Sequence, residues 1–260
     1  MTTEASAAGS LREARSARVP RRPFTDSHPT LDEDWGYRVQ DLDRAARLAV
    51  GEQVVGAKLG LTSRAKQRTM GVAQPIVGFL TDAMQLGAGR DVDVLARTAQ
   101  PRLEPEIAIR LAWDLDRPLT PWTAEHSVDA VAVAVELIDS RYAAFGFRLP
   151  DVVADNTSAA GFLVGPWNLL RESGDLAVAG CVLSVDGTVL HTATGAAILG
   201  HPLRALVHLS EHLARRGERL AAGTVVLAGA LTDAVPVRPG VVHRAEIRGL
   251  GAVEFVTEGP

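Results

Sequence analysis

Apolar residues recur along this chain with two different periods, and the periods divide it into elements. Val39, Leu42, Ala46 and Ala49 fall at helical spacing within Asp34–Val50, while Arg38, Asp41, Arg44 and Arg47 fall largely elsewhere, so an amphipathic helix is expected there. Gln53–Leu59 (QVVGAKL) predicts a short buried strand that ends near Lys58. Thr62-Ser63 predicts the cap of a short helix running to Met70, and Gly71, Pro75 and Gly78 predict a loop. The period then drops to two. In Glu106–Ala112, Ile107, Ile109 and Leu111 share one face and Glu106, Ala108 and Arg110 the other. Val131–Ile138 (VAVAVELI) alternates likewise, with Ala134 and Glu136 opposite Val133 and Val135. A helix capped by Thr123 is expected over Thr123–Ala130. Phe147–Ser158 carries turn chemistry and is expected to be a functional loop. Cys181–Ala193 predicts a hairpin about Asp186-Gly187. Pro202–Arg215 predicts a helix with Leu203, Leu206, Val207, Leu213 and Ala214 on one side. Strands at Thr224–Leu227, Val242–Arg248 and Val253–Val256 close the chain. Many strands with a few helices in mixed order place it in the α+β class.

Composition narrows this picture. The chain has 260 residues, 47% of them hydrophobic, enough for one buried core, so a single catalytic domain is expected over residues 23–260. Met1–Arg22 is rich in Ala, Ser and Arg, lacks the apolar stretch of a signal peptide, and is expected to be a flexible arm. No run is apolar enough to span a membrane. A net charge of −4 gives no sign of a nucleic-acid surface. The lone cysteine, Cys181, excludes an internal disulfide and lies in a strand-like AGCVLSV, which predicts an inert thiol and fits a reducing cytoplasm.

The chemistry is carried by acids. Glu104 and Glu106 are two residues apart, so in a strand they project side by side and repel. A basic partner, protonation or a cation must stabilise them; a solvated acidic face would show the same spacing. Glu136 is the only ionised group in its apolar run, where a charge is costly unless paired or metal-bound. Three carboxylates suit Mg²⁺. Lys58 reads as a strand-end lysine that snorkels to water. His208 and His212 lie four apart on the Pro202–Arg215 helix and, with no third ligand nearby, read as solvated positions.

Lys58-Leu-Gly-Leu-Thr-Ser63 resembles the KxGLTS segment of the 2-keto-4-pentenoate hydratase and 4-oxalocrotonate decarboxylase family, within the fumarylacetoacetate hydrolase superfamily. Gly78-Phe-Leu-Thr-Asp82, Pro101-Arg-Leu-Glu-Pro-Glu-Ile107, Glu136-Leu-Ile-Asp-Ser-Arg-Tyr142 and Val153-Ala-Asp-Asn-Thr-Ser158 follow in the family's order, and the resemblance runs from roughly Phe24 to Val256. It implies a mixed-sheet fumarylacetoacetase-type fold with peripheral helices. It implies a Mg²⁺ or Mn²⁺ site on Glu104, Glu106 and Glu136, an active-site lysine at Lys58 and a substrate-contacting serine at Ser158. Asp82, Ile76, Asp155, Asn156 and Arg141 lie in matching segments as candidate substrate contacts; for Arg141, pairing with Asp139 or Asp151 is the plainer expectation. The Ile138–Phe147 segment and Ile76, where hydratases often carry aspartate, look more like the decarboxylases. Ala57 and Ala159 depart from the family pattern at positions expected to shape the pocket.

The resemblance thus implies metal-dependent decarboxylation of a 2-oxo-3-enedioate, with no organic cofactor. Hydration of 2-hydroxypenta-2,4-dienoate, a C–C hydrolase of the same superfamily and a non-catalytic partner subunit are the other readings. A small 2-oxo acid substrate, a homo-oligomer and association with a pathway hydratase are expected.

Overall fold

The computed structural model describes residues 3–87, 89–90 and 94–257. Along the chain come α1 (Glu4–Ala17), α2 (Glu33–Ala49), β1 (Val54–Gly60), α3 (Arg64–Met70), β2 (Ile76–Thr81), β3 (Gly89–Arg90), α4 (Val94–Arg97) and β4 (Arg102–Leu111). Then follow α5 (Pro121–His126), β5 (Val128–Ile138), α6 (Leu149–Ala154), β6 (Ala159–Val164), β7 (Asn168–Leu169), β8 (Gly180–Val185) and β9 (Thr188–Thr194). The chain finishes with α7 (Arg204–Arg216), β10 (Val225–Ala230), β11 (Val235–Pro236), β12 (Val242–Ile247) and β13 (Gly251–Val256). Among the described residues the strands form two sheets. The larger runs β2-β1-β10-β4-β5-β6, with β11 also pairing β4 and β7 also pairing β5; the smaller runs β3-β13-β12-β8-β9. The larger sheet is mixed: β1 and β10 are parallel, whereas β4 and β5 are antiparallel. This is the expected α+β mixed sheet.

The alternation predicted in β4 and β5 decides where the core sits. Ile107, Ile109, Val131, Val133 and Val135 turn to one face and pack with the smaller sheet and with Leu206 and Leu209 of α7. Ala108, Ala132 and Ala134 turn to the other face, where Phe79, Phe162 and Leu227 meet them. The small alanines leave room for these larger side chains on that inner face. One end of this inner face holds the acids.

Several expectations need correction. Residues 4–17 are a packed helix rather than a free arm; residues 1 and 2 lie outside the described residues. Ala and Arg are strong helix formers, and Ala7, Ala8, Leu11 and Ala14 make a buried stripe. Leu11 joins Phe24, Trp35 and Tyr142 in a satellite core, and Arg15 pairs with Asp43 of α2 at 2.8 Å. The buried side of α2 is Trp35, Tyr37, Val39, Gln40 and Asp43, while Leu42 and Ala49 are exposed, so the stripe is rotated from the one expected. Phe147–Ser158 is not an open loop: Leu149–Ala154 is a buried helix held by α2. The cap of α5 is Thr120, with Thr123 closing the capping box. Gly78 lies inside β2 rather than in a loop. No helix among the described residues is long and apolar enough to cross a membrane.

Candidate metal centre and active site

Register brings the acids together. In the antiparallel β4/β5 pair, Glu104 stands directly opposite Glu136, and Glu106 stands opposite Ala134. Glu104 and Glu106 share a face because they are two apart. One carboxylate oxygen from each of the three residues lies within 4.8 Å of the others, and all three side chains are buried.

Two backbone details secure this arrangement. Pro105 has no N–H to give the neighbouring β10, and there the β10/β4 ladder shifts register between Leu227 and Ala230. Gly229, at φ 116°, uses the irregularity to donate its N–H to Glu106 Oε2 at 2.7 Å. A Cβ at Gly229 would come within 2.1 Å of Thr62 Oγ1, so only glycine fits.

Lys58 enters from β1. Its Nζ lies 2.9 Å from Glu136 Oε2, and both side chains are almost fully buried. The contact is an ion pair without hydrogen-bond alignment; the aligned bond goes to the Thr157 carbonyl at 3.2 Å. Thr157 belongs to a turn in which Asn156, Thr157 and Ser158 all have positive φ, a costly conformation for non-glycine residues that must be held from outside. Asn156 holds it: its side chain accepts from the Phe79 N–H and donates to the Phe79 carbonyl, both at 2.9 Å, and so acts as a strand partner for β2. Gly78, paired with Lys58 across β1 and β2, leaves room for the turn; a Cβ there would sit 2.5 Å from Thr157 Oγ1. The turn aims the Thr157 carbonyl at Lys58 and sets Ser158 on the cavity wall.

The electrostatics follow from crowding. Burial, and then the charge of Glu136, push Glu106 well above the usual carboxylate range against the pull of Lys58. Burial raises Glu136 too, with Lys58 opposing it. For Lys58, burial favours the neutral amine, but Glu136, Glu106 and Glu104 together outweigh it and hold the ammonium above its ordinary range. Lys66 of α3 pairs with Glu104 at 3.1 Å. Oε1 of Glu106 and Oε1 of Glu136 are buried without a hydrogen-bond partner. Buried carboxylate oxygens rarely go unsatisfied. Hard oxygens converging within one small space, with lone pairs left over, fit Mg²⁺ or Mn²⁺.

A cavity of about 680 Å³ reaches this centre and is lined by Lys58, Glu104, Ile76, Ser158, Phe147 and Arg102, among others. Of the residues expected from the sequence, Lys58, the three glutamates, Ile76 and Ser158 come together. Four do not. Asp82 is exposed and accepts the Gln53 and Ala83 N–H groups at 3.0 and 2.9 Å. Arg141 pairs neither with substrate space nor with the side chains of Asp139 or Asp151, but with Asp155. Asp155 also takes the Ser158 hydroxyl at 3.3 Å, and Asn156 is committed to β2. Ala57 is buried in the outer core and Ala159 lines a different cleft, so neither departure shapes this cavity. Sequence reasoning missed Lys66, Arg102 and Asp233, which also line it. Arg102 was within reach: it continues the alternation of Glu106 and Glu104 one step further back, past Leu103.

Comparison with known proteins identifies the family. Residues 52–256 match the family described as fumarylacetoacetate (FAA) hydrolase C-terminal. A 4-oxalocrotonate decarboxylase from a Pseudomonas species is 47% identical over 221 residues, which cover 85% of this chain and 85% of that protein. A 2-keto-4-pentenoate hydratase from Burkholderia vietnamiensis is 40% identical over 250 residues, covering 96% and 95%. The solved structure of 4-oxalocrotonate decarboxylase from Pseudomonas putida G7, complexed with magnesium and adipate, superposes with a TM-score of 0.90 at 36% identity, covering 98% of this chain and 97% of that one. The chain belongs to the fumarylacetoacetate hydrolase family.

Proposed function

We propose that this protein is a divalent-metal-dependent carboxy-lyase that removes the distal carboxylate of a 2-oxo-3-enedioate such as 2-oxo-3-hexenedioate, leaving a 2-hydroxydienoate. The observation that carries the reading is the buried cluster of Glu104, Glu106 and Glu136, whose unpartnered oxygens adjoin a cavity with Lys58 on its wall and an apolar side at Ile76. Such a substrate is a vinylogous β-keto acid, so the electrons released with CO₂ run through the conjugated chain to the 2-oxo oxygen. A dication held by the three glutamates would supply Lewis-acid stabilisation of that oxygen's growing charge.

The chain's own residues do the rest. Lys58 carries a proton at Nζ, presents positive charge where the electrons arrive, and gives that proton to the dienolate oxygen to complete the 2-hydroxydienoate. The Thr157 carbonyl and Glu136 fix its direction, so it need not reorganise during the step. Ser158 is assigned to the C1 carboxylate; its bond to Asp155 is long at 3.3 Å, and Asp155 keeps its Arg141 partners when the hydroxyl turns to the substrate. Ile76 gives the departing carboxylate an apolar neighbour, which favours charge dispersal.

The hydratase relative supports a second reading, addition of water to 2-hydroxypenta-2,4-dienoate at the same centre. Water addition needs a polar group to direct the water, and Ile76 offers none. Incubation of the Mg²⁺-loaded protein with each substrate, assaying CO₂ and hydrated product separately, decides between them. CO₂ from the enedioate is expected; rapid hydration without CO₂ release would overturn the decarboxylase reading.

Self-association in a reducing cytoplasm is part of the proposal. Trp113 and Trp122 are 69% and 79% exposed, unusual for tryptophan unless a partner covers them. Light scattering of the purified protein tests this, and co-elution with a hydratase that consumes the dienoate tests the partner.

A further inference from the structure

On the inner face of β4, Glu106 and Glu104 are followed, again two residues on, by Arg102, and opposite Arg102 on β5 stands Ile138. Both residues line the cavity that reaches the acidic centre. The guanidinium of Arg102 lies over the Phe145 ring, 4.4 Å from its centroid, which limits how far the side chain can wander. The cavity's other cations are already engaged. Lys58 is held by Glu136, and Lys66 pairs with Glu104 and feels Asp233, the remaining carboxylate on the wall. Among the described residues Arg102 has no carboxylate partner.

We infer that Arg102 reads the distal carboxylate of the substrate and so selects dicarboxylates over monocarboxylates. The inference rests on the proposed 2-oxo acid site and goes beyond it by naming the residue that recognises the other end. Distance supports it. Alternate residues on a strand are about 7 Å apart, so the Arg102 backbone stands one such step beyond Glu104. The two carboxylate carbons of an extended six-carbon dioate are separated by about 6 Å, at roughly 1.5 Å per bond with the zigzag allowed for. A substrate whose 2-oxo acid end sits at the glutamates therefore carries its far end toward Arg102. Charge supports it too. A dianion entering this cavity meets Glu104 and Asp233, and a monoanion lacks the second repulsion that Arg102 would offset. Ile76, Ile138 and Phe147 give that end few hydrogen-bond donors, so one cation on the wall decides whether a second carboxylate is welcome. Arg102 acts on selection, and the apolar wall acts on bond cleavage.

The test uses two unreactive 2-oxo acids, 2-oxohexanedioate and 2-oxohexanoate, whose binding to the Mg²⁺-loaded protein is measured by calorimetry. Wild type is expected to prefer the dioate by about ten- to a hundredfold, the range for hydrogen bonds to charged groups. Arg102→Gln should bring the ratio near one, and Arg102→Lys should keep most of it, with circular dichroism and Mg²⁺ titration confirming fold and metal site in both variants. Equal binding of the two acids by wild type, or a preference that persists in Arg102→Gln, overturns the assignment. Mg²⁺ uptake with no binding of either acid overturns the 2-oxo acid reading of the site, and this inference with it.

Discussion

Arg141 and Lys58 are each 4% exposed at the side chain, and each faces a fully buried carboxylate, Asp155 and Glu136 respectively. Their wiring differs. Around Arg141, Nε and Nη2 donate to the Asp155 side chain and carbonyl, and Nη1 donates to the carbonyls of Asp139 at 2.7 Å and Ala159 at 3.3 Å. The second Asp155 oxygen accepts the Arg141 N–H at 3.1 Å and the Ser158 hydroxyl. Lone pairs and donors are matched there, so the unit is closed and joins the β5 end to the turn before β6. Around Lys58, the glutamates keep unpartnered oxygens. A buried pair that satisfies itself is structure; a buried pair that leaves acceptors over is waiting for a ligand.

The largest effect should come from changing the open centre. Glu106→Gln replaces one charged oxygen, and Mg²⁺ affinity should fall by more than the roughly 10–100-fold typical of changes outside the ligand set, with turnover below detection. Melting of the metal-free protein should hold steady or rise, because a buried repulsion is removed. Calorimetric titration and thermal melting measure both; full turnover after exhaustive chelation of wild type would remove the metal from the account.

Next comes the closed unit. Arg141→Ala strands Asp155 and should cost about 3–5 kcal/mol in urea unfolding, while any protein that remains folded binds Mg²⁺ normally. Loss of Mg²⁺ binding by folded Arg141→Ala would erase the distinction between the two centres. Lys58→Ala should do the reverse. Turnover should drop by about 10²-fold or more, yet the Mg²⁺-loaded protein should stay within about 1 kcal/mol of wild type, since a dication beside Glu136 replaces the lost charge. Wild-type turnover in this variant would make Lys58 structural as well.

The smallest effect lies outside both centres. His212 of α7 is not the solvated position expected from the sequence: it packs at a tilt on Tyr37, with ring centroids 4.8 Å apart, and burial, followed by Arg216, depresses it from its ordinary 6.5 to about 4. The unfolded chain therefore binds the proton first, so this contribution to stability is present above pH 6.5 and is lost as pH falls toward 4. In Mg²⁺-loaded protein, His212→Gln should flatten that part of the stability profile by on the order of 1 kcal/mol. An unchanged slope would move the titration to another group.

These two centres were unequally legible in the sequence. Glu104, Glu106 and Glu136 declared themselves through local rules: a period of two, and a charge within an apolar run. Lys58 needed the family resemblance, because a strand-end lysine is ordinary by itself. The Arg141–Asp155 pair could not be read. Asp151 is taken by the Phe24 and Thr25 N–H groups, and Asp139 by Ala99 and Gln100, partners far along the chain. The turn at residues 156–158 has left-handed backbone at three non-glycine positions, which no local propensity predicts. The N-terminal helix was hidden for a simpler reason. Alanine-rich stripes look weakly hydrophobic, and the surface that Ala7 and Leu11 bury against, around Trp35 and Tyr142, is assembled from segments far along the chain.

The Glu104–Glu136 register gives the enzyme something like a reading frame. Side chains alternate between faces, so one residue inserted or deleted in β4 ahead of Glu104, with the rest of the ladder held, would swing the carboxylates from the inner face into the apolar layer against the smaller sheet. Two residues would restore the face and misplace the partner across the strand gap. Drift in this lineage can therefore lengthen the connections around the sheet freely, but within these two strands it must proceed by substitution alone.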